Sequence, residues 1–236
     1  MVSTRAFFVL GLSLVVGLAI FGAQIGRAVK RGREFDRYLT VRGLSEREAK
    51  ATLAIWPIRF SVAAEDLGRL KSEMESGRAL VMSFLNDNGI KPEEITHGLP
   101  AVSDREDERI HANRPTLPRY RGTVTLVVRS PNVDVVKKAI QQADSLLEKG
   151  VTLIAEDGGE KTQFIFDAVN EVKPDMIREA TANARAAAEK FALDSKSKVG
   201  RIRKASQGAL EIEDRDAASP EKKVLRVVTT VDFFLE

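Results

Sequence analysis

The chain of 236 residues contains no cysteine. Disulfides, thiol nucleophiles and zinc sites with thiolate ligands are therefore excluded. It has two histidines, His97 and His111. They are too few for a three-histidine metal site, and neither stands in a His-Glu-x-x-His pattern. The sequence also lacks a Gly-x-Ser-x-Gly elbow, a phosphate loop closing in Gly-Lys-Ser/Thr and a glycine-rich dinucleotide turn. No catalytic, cofactor-binding or metal-ligating residue is expected on these grounds, and no cofactor.

A strong charge of either sign is missing as well. The chain carries 37 basic and 34 acidic side chains. Arg5, Arg27, Lys30, Arg31 and Arg33 all precede residue 34, and no acidic residue does. The rest therefore has 32 basic and 34 acidic residues, a formal charge of −2. A nucleic-acid-binding domain would usually present a net basic face, so nucleic acid is not an expected partner.

What the amino end does have is an uncharged run of 21 residues, Ala6 to Gly26. As a helix it would be about 31 Å long, enough to cross a hydrocarbon core. Cleaved leaders have shorter apolar regions, of about 7 to 15 residues, and end in a small-x-small exit. Here the best exit, Gly26-Arg27-Ala28, carries an arginine inside a basic cluster. The sequence thus predicts an uncleaved anchor and juxtamembrane segment over residues 1–33, partnered by the lipid bilayer, and a domain over 34–236. Four basic residues after the run against Arg5 and the amino terminus before it favour a cytoplasmic carboxyl side.

Periodicity in the domain predicts paired strands between three amphipathic helices. A strand and turn from Phe35 to Gly43 precede a longer strand over Glu48 to Ala63. Within the second, Pro57 lacks a donor and predicts an edge position or a bulge. Leu67, Leu70, Met74, Gly77, Val81 and Phe84 mark a helix from Asp66 to Asn88, stopped by Gly89. Gly77 on that face reads as a close-packing point against a sheet. A strand over Ile95 to Val102 leads to a polar loop reaching Pro118, and Arg119 to Arg129 alternates as a strand. A second helix is expected over Asn132 to Lys149. Short strands follow at Val151 to Ala155 and Gln163 to Val172, joined by the tight turn Asp157-Gly158-Gly159.

Pro174 is expected to open the third helix, running to about Lys196 with Ile177, Ala180, Ala184, Ala187 and Phe191 on its buried face. Two strands end the chain: Gly200 to Glu213, broken at Gly208, and Lys223 to Leu235. This order predicts an α+β fold with mainly antiparallel sheets, one domain or two subdomains meeting near 119–130.

Carboxylates are densest at Asp104, Glu106, Asp107 and Glu108, interleaved with Arg105 and Arg109 and close to His111. A carboxylate acid and base need environments that separate their pKa values. A solvated run offers none, so this segment reads as charged surface, with a carboxylate-dependent hydrolase as the weakest alternative. His97 reads as a surface or hydrogen-bonded histidine. Arg185, on the third helix, is where a small-molecule or peptide-binding module would offer a cation; a surface salt bridge is the plainer reading.

Three segments together resemble one family. They are Val41 to Gly43 with the strand Ala49 to Pro57, then Leu85 with the run Gly89 to Ile95, and the alanine-rich helix Ala182 to Phe191 leading into Val199 and Gly200. In their order and spacing they are similar to the SIMPL-domain proteins, a bacterial group of unknown function that includes periplasmic and outer-membrane immunogenic antigens. The resemblance covers about Leu39 to Leu235. It implies an exported or anchored envelope protein, in some members a ring-like homo-oligomer, and it brings no shared catalytic residue. It also reverses the orientation drawn from charge. The expectation is a noncatalytic scaffold in the inner membrane, single-pass, with its carboxyl-terminal domain in the periplasm.

Overall fold

Alternating side chains that fill a common core make β2 (Leu53–Ala64) and β5 (Tyr120–Ser130) the spine of one sheet. They pair antiparallel without interruption from Ala54 opposite Ser130 to Ala64 opposite Tyr120. A computed structural model describes Leu14 and residues 17–26, 37–111, 117–154 and 161–236. In chain order the remaining elements are β1 (Tyr38–Lys50), α1 (Leu67–Asp87), a 3-10 turn at Pro92–Glu94, β3 (Ile95–His97), β4 (Ala101–Asp104) and α2 (Glu106–His111). After β5 come α3 (Val133–Gln141), α4 (Ser145–Glu148), β6 (Thr152–Leu153), β7 (Gln163–Ile165), α5 (Val169–Asp194), β8 (Val199–Asp214) and β9 (Lys222–Leu235).

The chain divides into two compact units. One holds Arg47–Glu171 and Ile212–Leu225; the other holds Val172–Glu211, Arg226–Glu236 and the described residues up to Glu46. In the larger unit, β3 and β4 pair with the outer edge of β5, and β6 and β7 pair with β2. Trp56, Ile58 and Phe60 of β2 and Val124, Leu126 and Val128 of β5 form the buried face. Leu70, Met74, Val81, Phe84 and Leu85 of α1 close over it. Each large apolar side chain so buried contributes about 1.5–3 kcal/mol. Asp66 caps α1 by accepting from Arg69 N–H at 2.9 Å, and Gly89 ends it at φ 83°. Gly77 lies under Phe60, as its place on the apolar face predicts: a Cβ there would come within 2.6 Å of the ring.

In the smaller unit, α5 covers strands with a stripe of Met176, Ala180, Ala184, Ala188 and Ala192, all buried. Val227, Thr229, Val231 and Phe233 of β9 face inward on one parity. The three-stranded sheet has the order β1-β9-β8, leaving β8 at an edge. Lys198 and Glu236 exchange both backbone bonds at one end of the β8–β9 ladder; at the other end, whose residues belong to the larger unit, Arg215 N–H bonds Lys222 carbonyl. Between these ends β8 uses more residues than β9, so it bulges.

Several expectations need correcting. Gly43 is not a turn: β1 runs through it to Lys50, and the glycine admits the backbone of α5. Pro57 is neither at an edge nor bulged, since β2 is internal. It pairs with Val127, and β7 takes residues 53–55 of β2 while β6 takes 60–61. The proline occupies the gap between those two pairings, where its missing N–H removes no ladder bond. Ile95 to Val102 is two strands, because Gly98 to Pro100 interrupt it.

The second helix breaks after Gln141, and Asp144 restarts it by accepting from Ser145 N–H. The third begins at Val169, not Pro174. Asn170, whose carbonyl loses its partner to the proline, is exposed to water. On the same helix Ala187 and Phe191 are exposed, and Ala188 and Ala192 take their expected place. β8 passes through Gly208 unbroken. Part of the polar loop is helical, as α2. The Asp157-Gly158-Gly159 turn lies outside the described residues.

The expected span Ala6–Gly26 lies partly outside them too. Residues 17–26 are helical and exposed. Among the described residues no helix is long and apolar enough to cross a membrane.

Candidate functional site

Chemistry-bearing side chains are densest where β4 passes into α2. Asp104 pairs across the sheet with Tyr120, which sets Arg119 beside it. Arg119 donates to the Asp104 carboxylate from Nε at 3.2 Å and from Nη2 at 2.9 Å, and the Glu106 N–H donates to Oδ1 at 3.0 Å. The Arg119 guanidinium holds the Asp104 carboxyl below the usual carboxylate range. Arg105 grips Glu108 with a fork of 2.7 and 2.9 Å, which raises its own pKa. Arg109 lies 3.4 Å from Glu65 and 3.5 Å from Glu106.

Glu106, Asp107 and Glu108 stand in the first turn of α2, where the helix dipole favours negative charge. The arrangement is an interdigitated ion-pair network. A carboxylate kept ionised by a guanidinium is a poor proton donor near neutrality and a weak base. Among the described residues no group of three or more acidic, histidine or cysteine side chains is placed to hold a metal ion. Sequence reasoning listed the carboxylates but missed Arg119, which only the β4–β5 register brings to them.

The other singled-out residues do not converge on this cluster. His97 is exposed on β3 opposite Leu126. His111 ends α2, and its side chain is not among those described. Arg185 lies over the Phe233 ring, 5.2 Å from its centroid, and 3.8 Å from Glu189. A half-exposed cation on an aromatic face is worth about 0.5–1 kcal/mol, a surface role.

A concavity of about 400 Å³ in the larger unit was not foreseen; Lys137, Ile140, Gln141, Phe164, Pro220 and Glu221 line it. Lys137 Nζ donates to Glu221 Oε1, while Oε2 is buried without a hydrogen bond. Burial pushes the Glu221 carboxyl up; Lys137 and a backbone N–H pull it down further, so it stays below its ordinary value. The pair joins α3 to the turn before β9, and no sequence periodicity signals it.

The fold is an α+β arrangement of antiparallel sheets under amphipathic helices, and carboxylates of its acidic cluster pair with arginines. The chain belongs to the SIMPL family, described as a protein of unknown function (DUF541), whose model matches residues 39–232. No curated protein matches it.

Proposed function

We propose that the protein is a noncatalytic, membrane-anchored scaffold of the cell envelope that works as a homo-oligomer. In this reading Ala6 to Gly26 holds it in the inner membrane, and residues 34–236 stand in the periplasm. The observation that carries the noncatalytic part is the neutralisation of the acidic cluster by Arg105, Arg109 and Arg119. Exposed Tyr38, Leu44, Phe191, Leu193 and Ile202, all in the smaller unit, support assembly with further copies. The uncharged run of 21 residues supports the anchor.

Light scattering on the full chain in detergent tests assembly, and the expected result is a species larger than a monomer. Alkaline phosphatase fused after Glu236 is expected to be active, and a bright cytoplasm-dependent fluorescent protein at the same place would overturn the orientation. A second reading, a small-molecule or peptide-binding module, draws specific support from the concavity beside the Lys137–Glu221 pair. A compound screen in which nothing raises the Tm of the full chain would remove it.

A further inference from the structure

We infer that β8 is a homotypic docking strand, its free edge pairing antiparallel with β8 of a second copy about a two-fold axis near Gln207. This rests on the homo-oligomer reading and names the surface that would carry it. β8 has β9 on one side and, among the described residues, no strand on the other. It is 16 residues long, a span of about 50 Å, where edge strands are commonly kept short to prevent association. From Arg201 to Ala209 every residue is exposed, Ile202 among them.

Charge along the strand selects the occupant. Arg201, Arg203 and Lys204 lie in its first half and Glu211, Glu213 and Asp214 in its second, separated by the uncharged run Ala205 to Leu210. Arg203 stacks on Tyr38, and Asp214 bonds Lys223. The side chains of Arg201, Lys204, Glu211 and Glu213 make no hydrogen bond or ion pair among the described residues. An edge guarded by charges of a single sign repels a second copy in either direction. A split edge repels a parallel copy in register and attracts an antiparallel one.

With the axis at Gln207, Arg201 faces Glu213 of the second copy and Arg203 faces its Glu211. Ile202 then faces Ile212, and Lys204 lies one residue from Glu211. Backbone bonds between the strands supply the affinity, as in other strand additions, and the charges fix direction and register. The bulges of β8 limit how many such bonds form, which leaves more of the register to the charges.

The test uses charge reversal and the absence of native cysteine, on the full chain in detergent. Arg201→Glu, and separately Glu213→Lys, are each expected to weaken self-association by about tenfold or more, since the two-fold axis repeats each like-charge contact. Mixing the two variant chains is expected to restore it, because each then faces its opposite. Gln207→Cys, oxidised with diamide, is expected to cross-link to itself much faster than Arg201→Cys. Failure of mixing to restore association, or equal cross-linking of the two cysteine variants, overturns the docking strand. Oligomers that survive both reversals unchanged place the interface elsewhere and leave the scaffold reading standing. A wild-type chain that is monomeric at every concentration overturns both.

Discussion

α1 and α5 are both long amphipathic helices laid on strands, yet they meet their sheets through different atoms. α1 inserts Leu70, Met74, Val81, Phe84 and Leu85, and Gly77 lies close against the ring of Phe60. α5 presents Met176 and then alanines only. Its backbone lies against Gly43 of β1, where a Cβ would stand 1.8 Å from the Ala180 carbonyl oxygen and 2.5 Å from the Ala184 nitrogen. A side chain can turn aside, whereas a helix backbone moves only if the helix moves. Hydrophobic period thus names the buried face, and the size of the residues on it sets how near the partner comes and how little the contact tolerates.

The sharpest way to break this contrast is a single methyl group at Gly43. Gly43→Ala is expected to destabilise the protein by about 3 kcal/mol or more, because overpacking here meets helix backbone. Thermal or urea denaturation of the full chain reads it, and a wild-type midpoint would refute the backbone contact. Gly77→Ala is expected to cost less, about 1–2 kcal/mol, since the gain in helix propensity offsets part of the displacement of the Phe60 ring. Phe60→Leu should relieve that penalty, so the double variant should be more stable than the sum of the single effects predicts. A strictly additive pair would show that Gly77 and Phe60 do not compete for the same space.

The same contrast explains what was legible in the sequence. Features with local causes were readable: the Asp66 cap, the stop at Gly89, the inward parity of Val227 to Phe233 and the α1 stripe all follow from neighbours a few residues away. Features with distant causes were not. Gly43 looks like punctuation, and its reason, the α5 backbone, lies far along the chain. Pro57 looks like an edge marker, and only the places taken by β6 and β7 on β2 explain its tolerance inside a sheet. In α5 six of the nine residues from Ala180 to Ala188 are alanine, so composition does not choose between Ala187 and Ala188. The contact with Gly43 fixes the rotation instead. In the acidic segment the carboxylates were plain, but their neutralisation required the register that brings Arg119 to Asp104.

That register gives the smallest predicted effect and the third kind of contact, a helix start held by charge where α1 and α5 are held by packing. Asp104 accepts from Arg119 and from the Glu106 N–H at the start of α2, and its carboxyl is held below the ordinary 3.8. A carboxyl lowered by folding contributes stability that is fully present above its unfolded value and is lost as pH falls through the folded one. As pH falls from neutrality, the carboxyl resonance of Asp104 should therefore stay that of the ionised form to a lower pH than an unpaired aspartate does, and α2 should keep its helical chemical shifts as long. Both should change together only at lower pH. In Arg119→Gln the Asp104 titration should move upward, towards 3.8, with the fraying of α2 following it. The Tm should change little, because the pair is solvent-exposed and screened. Identical Asp104 titrations in the two chains would show that the guanidinium does not hold the carboxylate, and a large fall in Tm would place Arg119 among the packing contacts.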